Sequence, residues 1–271
     1  MDIEALLRES STARGKRQHD LAESLTRTVL PVFIHDEMVR PSHLGSCVLV
    51  RLDGRHYAFT AGHVIRNARR AHLWAAAGNA KLEPLPYVTL FSSQAADGEV
   101  GDIDIGIVPL QAGSLGPFAQ CRFLEDIDAE GTTQHNWVDN FYFAMGYPAS
   151  HKQSEINHRR KKIHVRSFHL ATNPPPNDLY EKEGLDRSLH LLVEFDHNDT
   201  VVERKKAVPP KLQGVSGGAI LCISRASYTG PLVAIATEHR KHSRILVGTR
   251  VRYFVQIARG LTATEPAEIF D

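Results

Sequence analysis

From Val29 onward the apolar residues fall in short runs of strand length, each closed by Gly, Pro, Asp or Asn. Runs over 29–34, 46–52, 56–61, 71–76, 87–91 and 103–110 form a first series of six. Runs over 141–147, 163–170, 189–195, 219–223, 232–237 and 245–251 form a second. Short strands separated by turn residues predict an all-β chain closed on itself. Asp53-Gly54 is a two-residue hairpin signal, which sets 56–61 antiparallel to 46–52 and leaves His63 just past a strand end. Between the two series, 111–138 holds Gly113, Gly116, Pro117 and Gly131 with few long apolar runs, as a crossing between halves would. Ahead of the strands, Ile3, Leu6 and Leu7 and then Leu21 and Leu25 flank the polar stretch Glu9 to Asp20. That spacing predicts one or two short amphipathic helices outside the core. Two readings of 1–28 stay open: a helix packed on the barrel, or an arm that docks a regulatory protein partner. The expected division is 1–28 as a helical extension, 29–115 as a first β-unit, 116–138 as the connection, and 139–271 as a second β-unit.

Composition narrows this picture. A chain of 271 residues can bury a real core. Its 32 basic and 31 acidic residues leave a formal charge of +1, which argues against holding nucleic acid by bulk electrostatics. Cys47, Cys121 and Cys222 are odd in number and far apart, and are expected as reduced thiols. The N-terminal stretch carries acids early and lacks the apolar core of a secretory signal, and no run reaches the eighteen apolar residues that span a bilayer. These features point to a cytoplasmic protein that uses no membrane.

The chemistry is concentrated in Gln213-Gly214-Val215-Ser216-Gly217-Gly218-Ala219-Ile220, where one serine sits among three glycines directly before an apolar run. A hydroxyl is a poor nucleophile until a base removes its proton, so this serine needs a histidine and a carboxylate. Thr60-Ala61-Gly62-His63-Val64 supplies the first, and Asp102-Ile103-Asp104-Ile105-Gly106-Ile107-Val108 the second. The three motifs, in the order His, Asp, Ser, resemble the chymotrypsin-like (trypsin-like) serine peptidases. Val247-Gly248-Thr249-Arg250-Val251 running into Tyr253-Phe254-Val255-Gln256-Ile257 looks like the last barrel strand and closing helix of that family. The likeness covers roughly residues 29 to 260.

The resemblance implies two six-stranded antiparallel β-barrels, a C-terminal helix, and an active site in the cleft between the barrels. It implies a serine endopeptidase that cleaves a protein or peptide through an acyl-enzyme. In that scheme Ser216 attacks, His63 relays the proton and Asp104 orients the imidazole. Asp102 and Asp104 share one face of a strand, and the family pattern of Asp, apolar, small, apolar fits Asp104. The oxyanion donors are implied to be the amides of Gly214 and Ser216. Val215 stands where digestive members carry an aspartate, and no Ile-Val-Gly-Gly start or cystine framework appears, which resembles bacterial intracellular relatives. The specificity pocket carries over to Pro210, His239 and Leu246, shallow or apolar rather than acid-floored. Glu238 stands at its rim as an attractor for a basic side chain.

Other readings compete with these. The G-x-S-x-G pattern also fits the nucleophile elbow of α/β-hydrolases, which needs a helix after the serine. A barrel that keeps the three residues as an idle or partner-gated protein-binding module is a further class. His158-Arg159-Arg160-Lys161-Lys162 reads as a solvated run, with an acidic partner or nucleic acid as its sharper alternatives. Pro174-Pro175-Pro176 reads as a stiff connector. His239 with His242, and His56 with His63, lack the spacing of a metal site, and no Gly-rich phosphate loop occurs, so neither cofactor nor metal is expected.

Overall fold

A computed structural model describes residues 3–36, 39–68, 73–77, 81–85, 89–94, 100–136, 138–148, 155–157, 162–195, 201–202, 205–206 and 214–261. The polar stretch at the N-terminus does not divide the leading segment: one helix, α1 (Ile3–Leu25), runs for 23 residues. Thr12 to Arg17 are exposed, while Ala22 and Leu25 are buried in the main core, so this helix is held by its last turns. The expectation of short helices outside the core is corrected on both counts. Thr12 to Arg17 form a solvated helix surface, and Ala22 and Leu25 near its end are core residues, with Leu21 packed partly buried against them. Arg17 adds a cation–π contact, its guanidinium 5.3 Å from the centroid of the Tyr228 ring.

The first half contributes β1 (Val29–Asp36), β2 (Val39–Leu52), β3 (Arg55–Thr60), a short helix α2 (Gly62–Ala68), β4 (Leu73–Ala76), β5 (Leu82–Pro84), β6 (Thr89–Gln94) and β7 (Val100–Leu110). They form one antiparallel sheet in the order β5-β4-β1-β2-β3-β7-β6, in which β5 adds a seventh, three-residue strand at one edge. Two 3₁₀ turns, Ala112–Ser114 and Gly116–Phe118, open the crossing. The crossing is fastened to both halves by bridges from Leu124 to Val50 and from Ile127 to Leu232.

The second half contributes β8 (Asn140–Gly146), β9 (Glu155–Asn157), β10 (Lys162–His164), β11 (Phe168–Thr172), the one-turn helix α3 (Leu179–Lys182), β12 (His190–Glu194), β13 (Val201–Val202), β14 (Lys205–Lys206), β15 (Ala219–Ser224), β16 (Leu232–Arg240), β17 (Ile245–Arg250) and the closing helix α4 (Val251–Leu261). Six of these strands pair antiparallel as β11-β8-β15-β16-β17-β12. The ends of that sheet meet, because Glu194 N–H donates to Asn173 O at 3.0 Å and Thr172 Oγ1 to Glu194 O at 2.7 Å. The apolar run 163–170 is two strands rather than one. Its first part pairs with β9 and its second with β8, and 165–167 turn between these partners.

The apolar runs look continuous because the strands are buried on both faces. Successive side chains alternate across a sheet. Accordingly Cys47 and Leu49 enter one core cluster of the first sheet, while Val48 and Val50 enter the cluster shared by both sheets. On β8, Phe143 and Met145 face that shared cluster, and Tyr142 and Ala144 face the interior of the second barrel. Phe254 of α4 completes the shared core, its ring 5.2 Å from that of Phe59. The architecture is therefore mostly β, a double barrel with few helices. Among the described residues, no helix is long and apolar enough to cross a membrane.

The Asp53-Gly54 hairpin is as expected, with Leu52 paired to Arg55 across it. Both turn residues have positive φ, 50° and 77°, the signature of a type I′ turn. Nothing lies within 4 Å of a Cβ placed on Gly54, so a substitution there meets only backbone strain. Gly54→Ala is expected to lower stability by about 1 kcal/mol in urea unfolding with an unchanged slope, and Gly54→Asn by less.

Candidate active site

His63 occupies the first turn of α2, where backbone N–H groups have no intrahelical acceptor. The Asp104 carboxylate supplies one. Its Oδ1 accepts the His63 N–H at 2.8 Å, and its Oδ2 lies 2.6 Å from His63 Nδ1. One carboxylate thereby caps the helix and fixes the ring, with the proton on Nδ1 and Nε2 left as the acceptor. The strand ladder delivers it: β3 and β7 pair Thr60 with Gly106, and Asp104 lies two residues further along. Gly62 leaves the necessary room, since a Cβ there would stand 2.8 Å from Oδ1.

Arg66, three residues after His63 and on the same helix face, donates from Nη2 to Asp104 Oδ1 at 3.0 Å. The Asp104 side chain is 15% exposed and that of Arg66 29%. Burial by itself raises the pKa of this carboxyl, but the bonds from His63 and the charge of Arg66 outweigh it and hold Asp104 below its ordinary value.

Ser216 lies in the tight loop 214–218 that precedes β15. The loop is pinned to β16 by Gly217 N–H donating to Ala236 O (2.7 Å) and Ala236 N–H donating to Gly218 O (2.8 Å). Gly214 and Gly217 hold φ of 96° and 87°. A Cβ on Gly217 would stand 1.9 Å from Ser46 O. The Ser216 hydroxyl donates to the carbonyl of Thr237 at 3.0 Å, and Thr237 Oγ1 in turn donates to Val247 O at 3.3 Å. Among the described residues, the amides of Gly214 and Ser216 donate to no protein acceptor.

The two halves meet at Gly45. A Cβ there would lie 2.7 Å from Cγ2 of Val64, the neighbour of His63, and 2.8 Å from the carbonyl oxygen of Ser216. His63 and Ser216 thus flank one point on β2. Their side chains make no hydrogen bond to each other in this arrangement, because the serine hydroxyl is engaged by Thr237.

The remaining sequence candidates are placed unevenly. Pro210, the basic run 158–161 and the side chain of Asp102 lie outside what is described. Leu246 is buried and pairs across β16–β17 with His239, whose ring stands edge-on to Phe195 with centroids 4.9 Å apart. Glu238 is not a free acid at a rim: both of its oxygens lie 3.2 Å from Nε of Arg240, which also bonds Glu183. The serine loop runs into strand β15 and not into a helix, as the apolar run 219–223 predicts, so the nucleophile-elbow alternative does not apply. Cys47, Cys121 and Cys222 are free thiols, and burial pushes Cys47 up to about 12 and Cys222 up to about 11. No group of three or more His, Cys, Asp or Glu among the described residues is arranged to hold a metal ion.

Sequence reading missed Arg66, Thr237 and Ser46. A helix beginning at Gly62 would have flagged Arg66 by its three-residue spacing from His63. Thr237 acts through its carbonyl and Ser46 through its hydroxyl and N–H, across contacts between distant strands that no local pattern announces.

The double barrel, with His63 and Asp104 on the first half and Ser216 on the second, is a trypsin-like fold. A solved structure described as "Structure of GrC" matches with a TM-score of 0.56 at 13% identity, covering 89% of this chain and 96% of that one. No protein-family model matches the chain, and no curated protein matches it in sequence. The likeness is one of fold.

A carboxyl held below its ordinary value stabilises the folded state above about pH 4 and loses that contribution as pH falls through the lowered value. Asp104→Asn is therefore expected to cost roughly 2 kcal/mol at pH 7. The gap between the two proteins should close as thermal melts are taken below about pH 4.

Proposed function

We propose that the chain is a serine endopeptidase in which Ser216, His63 and Asp104 act together on a protein or peptide. The observation that carries this reading is the Asp104 carboxylate held at 2.6 Å from His63 Nδ1, with Nε2 left to accept a proton beside the Ser216 loop. In the reaction, the Ser216 hydroxyl leaves the Thr237 carbonyl by rotation about χ1 and turns to Nε2. His63 takes its proton as Oγ attacks the carbonyl carbon, and returns it to the leaving amine. Asp104 stabilises the imidazolium, and Arg66 keeps the carboxylate in place. The unengaged amides of Gly214 and Ser216 are the donors for the oxyanion, each worth roughly 3 to 4 kcal/mol of transition-state stabilisation. Water then releases the acyl group by the reverse proton path.

The pairing of Glu238 with Arg240 and the buried Leu246 favour a small or apolar substrate side chain over a basic one. Free, largely buried thiols accord with a cytoplasmic setting. Val215 is buried against the second barrel, so the loop has an apolar anchor where activation through an aspartate ion pair is ruled out by residue type.

The Ser216–Thr237 bond favours a second reading, a barrel that is idle or gated by a partner. Labelling with a fluorophosphonate probe separates the two. An active enzyme is labelled, and Ser216→Ala abolishes the signal. In peptide hydrolysis, Ser216→Ala and His63→Ala should each lower turnover by roughly six orders of magnitude, with little further loss when combined. A wild-type protein that takes no label in the presence of candidate peptides would instead identify the idle module.

A further inference from the structure

We propose that Ser46, on the first barrel, is the positioning residue of the serine loop on the second; the catalytic part of this inference rests on the peptidase reading. Ser46 is fully buried in β2. On the side of β2 away from β1, its carbonyl accepts Thr60 Oγ1 at 2.7 Å. Its own N–H donates to Ser216 O at 2.8 Å. Its hydroxyl donates to Gly214 O at 3.0 Å and accepts the N–H of Tyr147, at the end of β8, at 2.9 Å. Every polar atom of this residue is satisfied, and three of the four bonds cross from one barrel to the other.

The consequence lies in which peptides are held. Gly214 O belongs to the peptide that precedes Val215 N, and Ser216 O to the one that precedes Gly217 N. Both flank the peptide carrying the Ser216 amide. That amide cannot swing out of line unless one of the two Ser46 bonds breaks, so Ser46 sets its direction without touching substrate. The hydroxyl is the vulnerable part. Gly214 resists rotation weakly because it lacks a Cβ, and among the described residues only the Ser46 hydroxyl fixes its carbonyl. Buried polar groups require partners, so deletion of that hydroxyl leaves Gly214 O to seek solvent and turn the loop with it.

The test compares Ser46→Ala with Ile223→Val, a core change in β15 that lowers stability without touching the loop's hydrogen bonds. The fluorophosphonate labelling rate at saturating probe is expected to fall roughly 10- to 100-fold in Ser46→Ala, with the concentration for half-saturation little changed. Ile223→Val should label like the wild type. In parallel, the Gly214 and Ser216 amide resonances should move and exchange faster with solvent in Ser46→Ala alone. Wild-type labelling rates together with unmoved amide resonances in a folded Ser46→Ala protein overturn the inference. If the wild type itself takes no label, the peptidase reading falls, and the amide resonances alone decide the positioning role. If Ser46→Ala does not fold, Ser46→Cys, whose thiol is only a weak donor, provides the same comparison.

Discussion

The site rests on one carboxylate. Asp104 binds the backbone and the ring of His63 and the guanidinium of Arg66, so a single side chain caps a helix start, fixes a tautomer and pairs with a partly exposed cation. These bonds belong together because charge-assisted hydrogen bonds are strong only where water is kept away, and most of Asp104 is shielded. Removing the carboxylate would leave the helix start, the imidazole and the arginine each without an acceptor. The first barrel therefore presents His63 in one orientation before any substrate arrives.

The second constraint is the packing of one barrel on the other. The shared core takes alternate residues from β2, β3 and β7 on one side and from β8 and β15 on the other. That registration brings Gly45 and Ser46 against the Ser216 loop, and the loop then exchanges hydrogen bonds with both barrels. A loop tied to two scaffolds is stiffer than one carried by a hairpin tip. Preorganised donors contribute most to catalysis when they need no rearrangement at the moment of reaction. The serine hydroxyl itself is directed elsewhere, at the carbonyl of Thr237.

Much of this was legible residue by residue. The Asp53-Gly54 turn could be read because a type I′ hairpin demands positive φ at both positions. The strand runs could be read because both faces of the sheets are apolar, though that same double-sided burial hid the alternation that would have assigned each side chain to a core. His63 and Asp104 were legible as motifs, and Gly62 beside His63 makes room for the Asp104 carboxylate. Arg66 was not, because its three-residue spacing from His63 has meaning only once a helix is known to begin at Gly62. The polar stretch 9–20 was misjudged as a break, because a solvated helix has no apolar period to display until the core claims its last turn.

What the sequence alone determined is the local part: the presence of strand-length apolar runs, which turn joins β2 to β3, and which residue types are available for proton transfer and nucleophilic attack. Those features depend on backbone sterics and side-chain chemistry within a few residues. The tertiary structure alone decided that Ser46 holds the loop, that Thr237 receives the serine hydroxyl, and that Glu238 is occupied by Arg240. Each of these is a contact between strands distant in the chain or a choice among competing partners. Hydrogen-bond geometry selects among such partners only after the two barrels have closed on a common core.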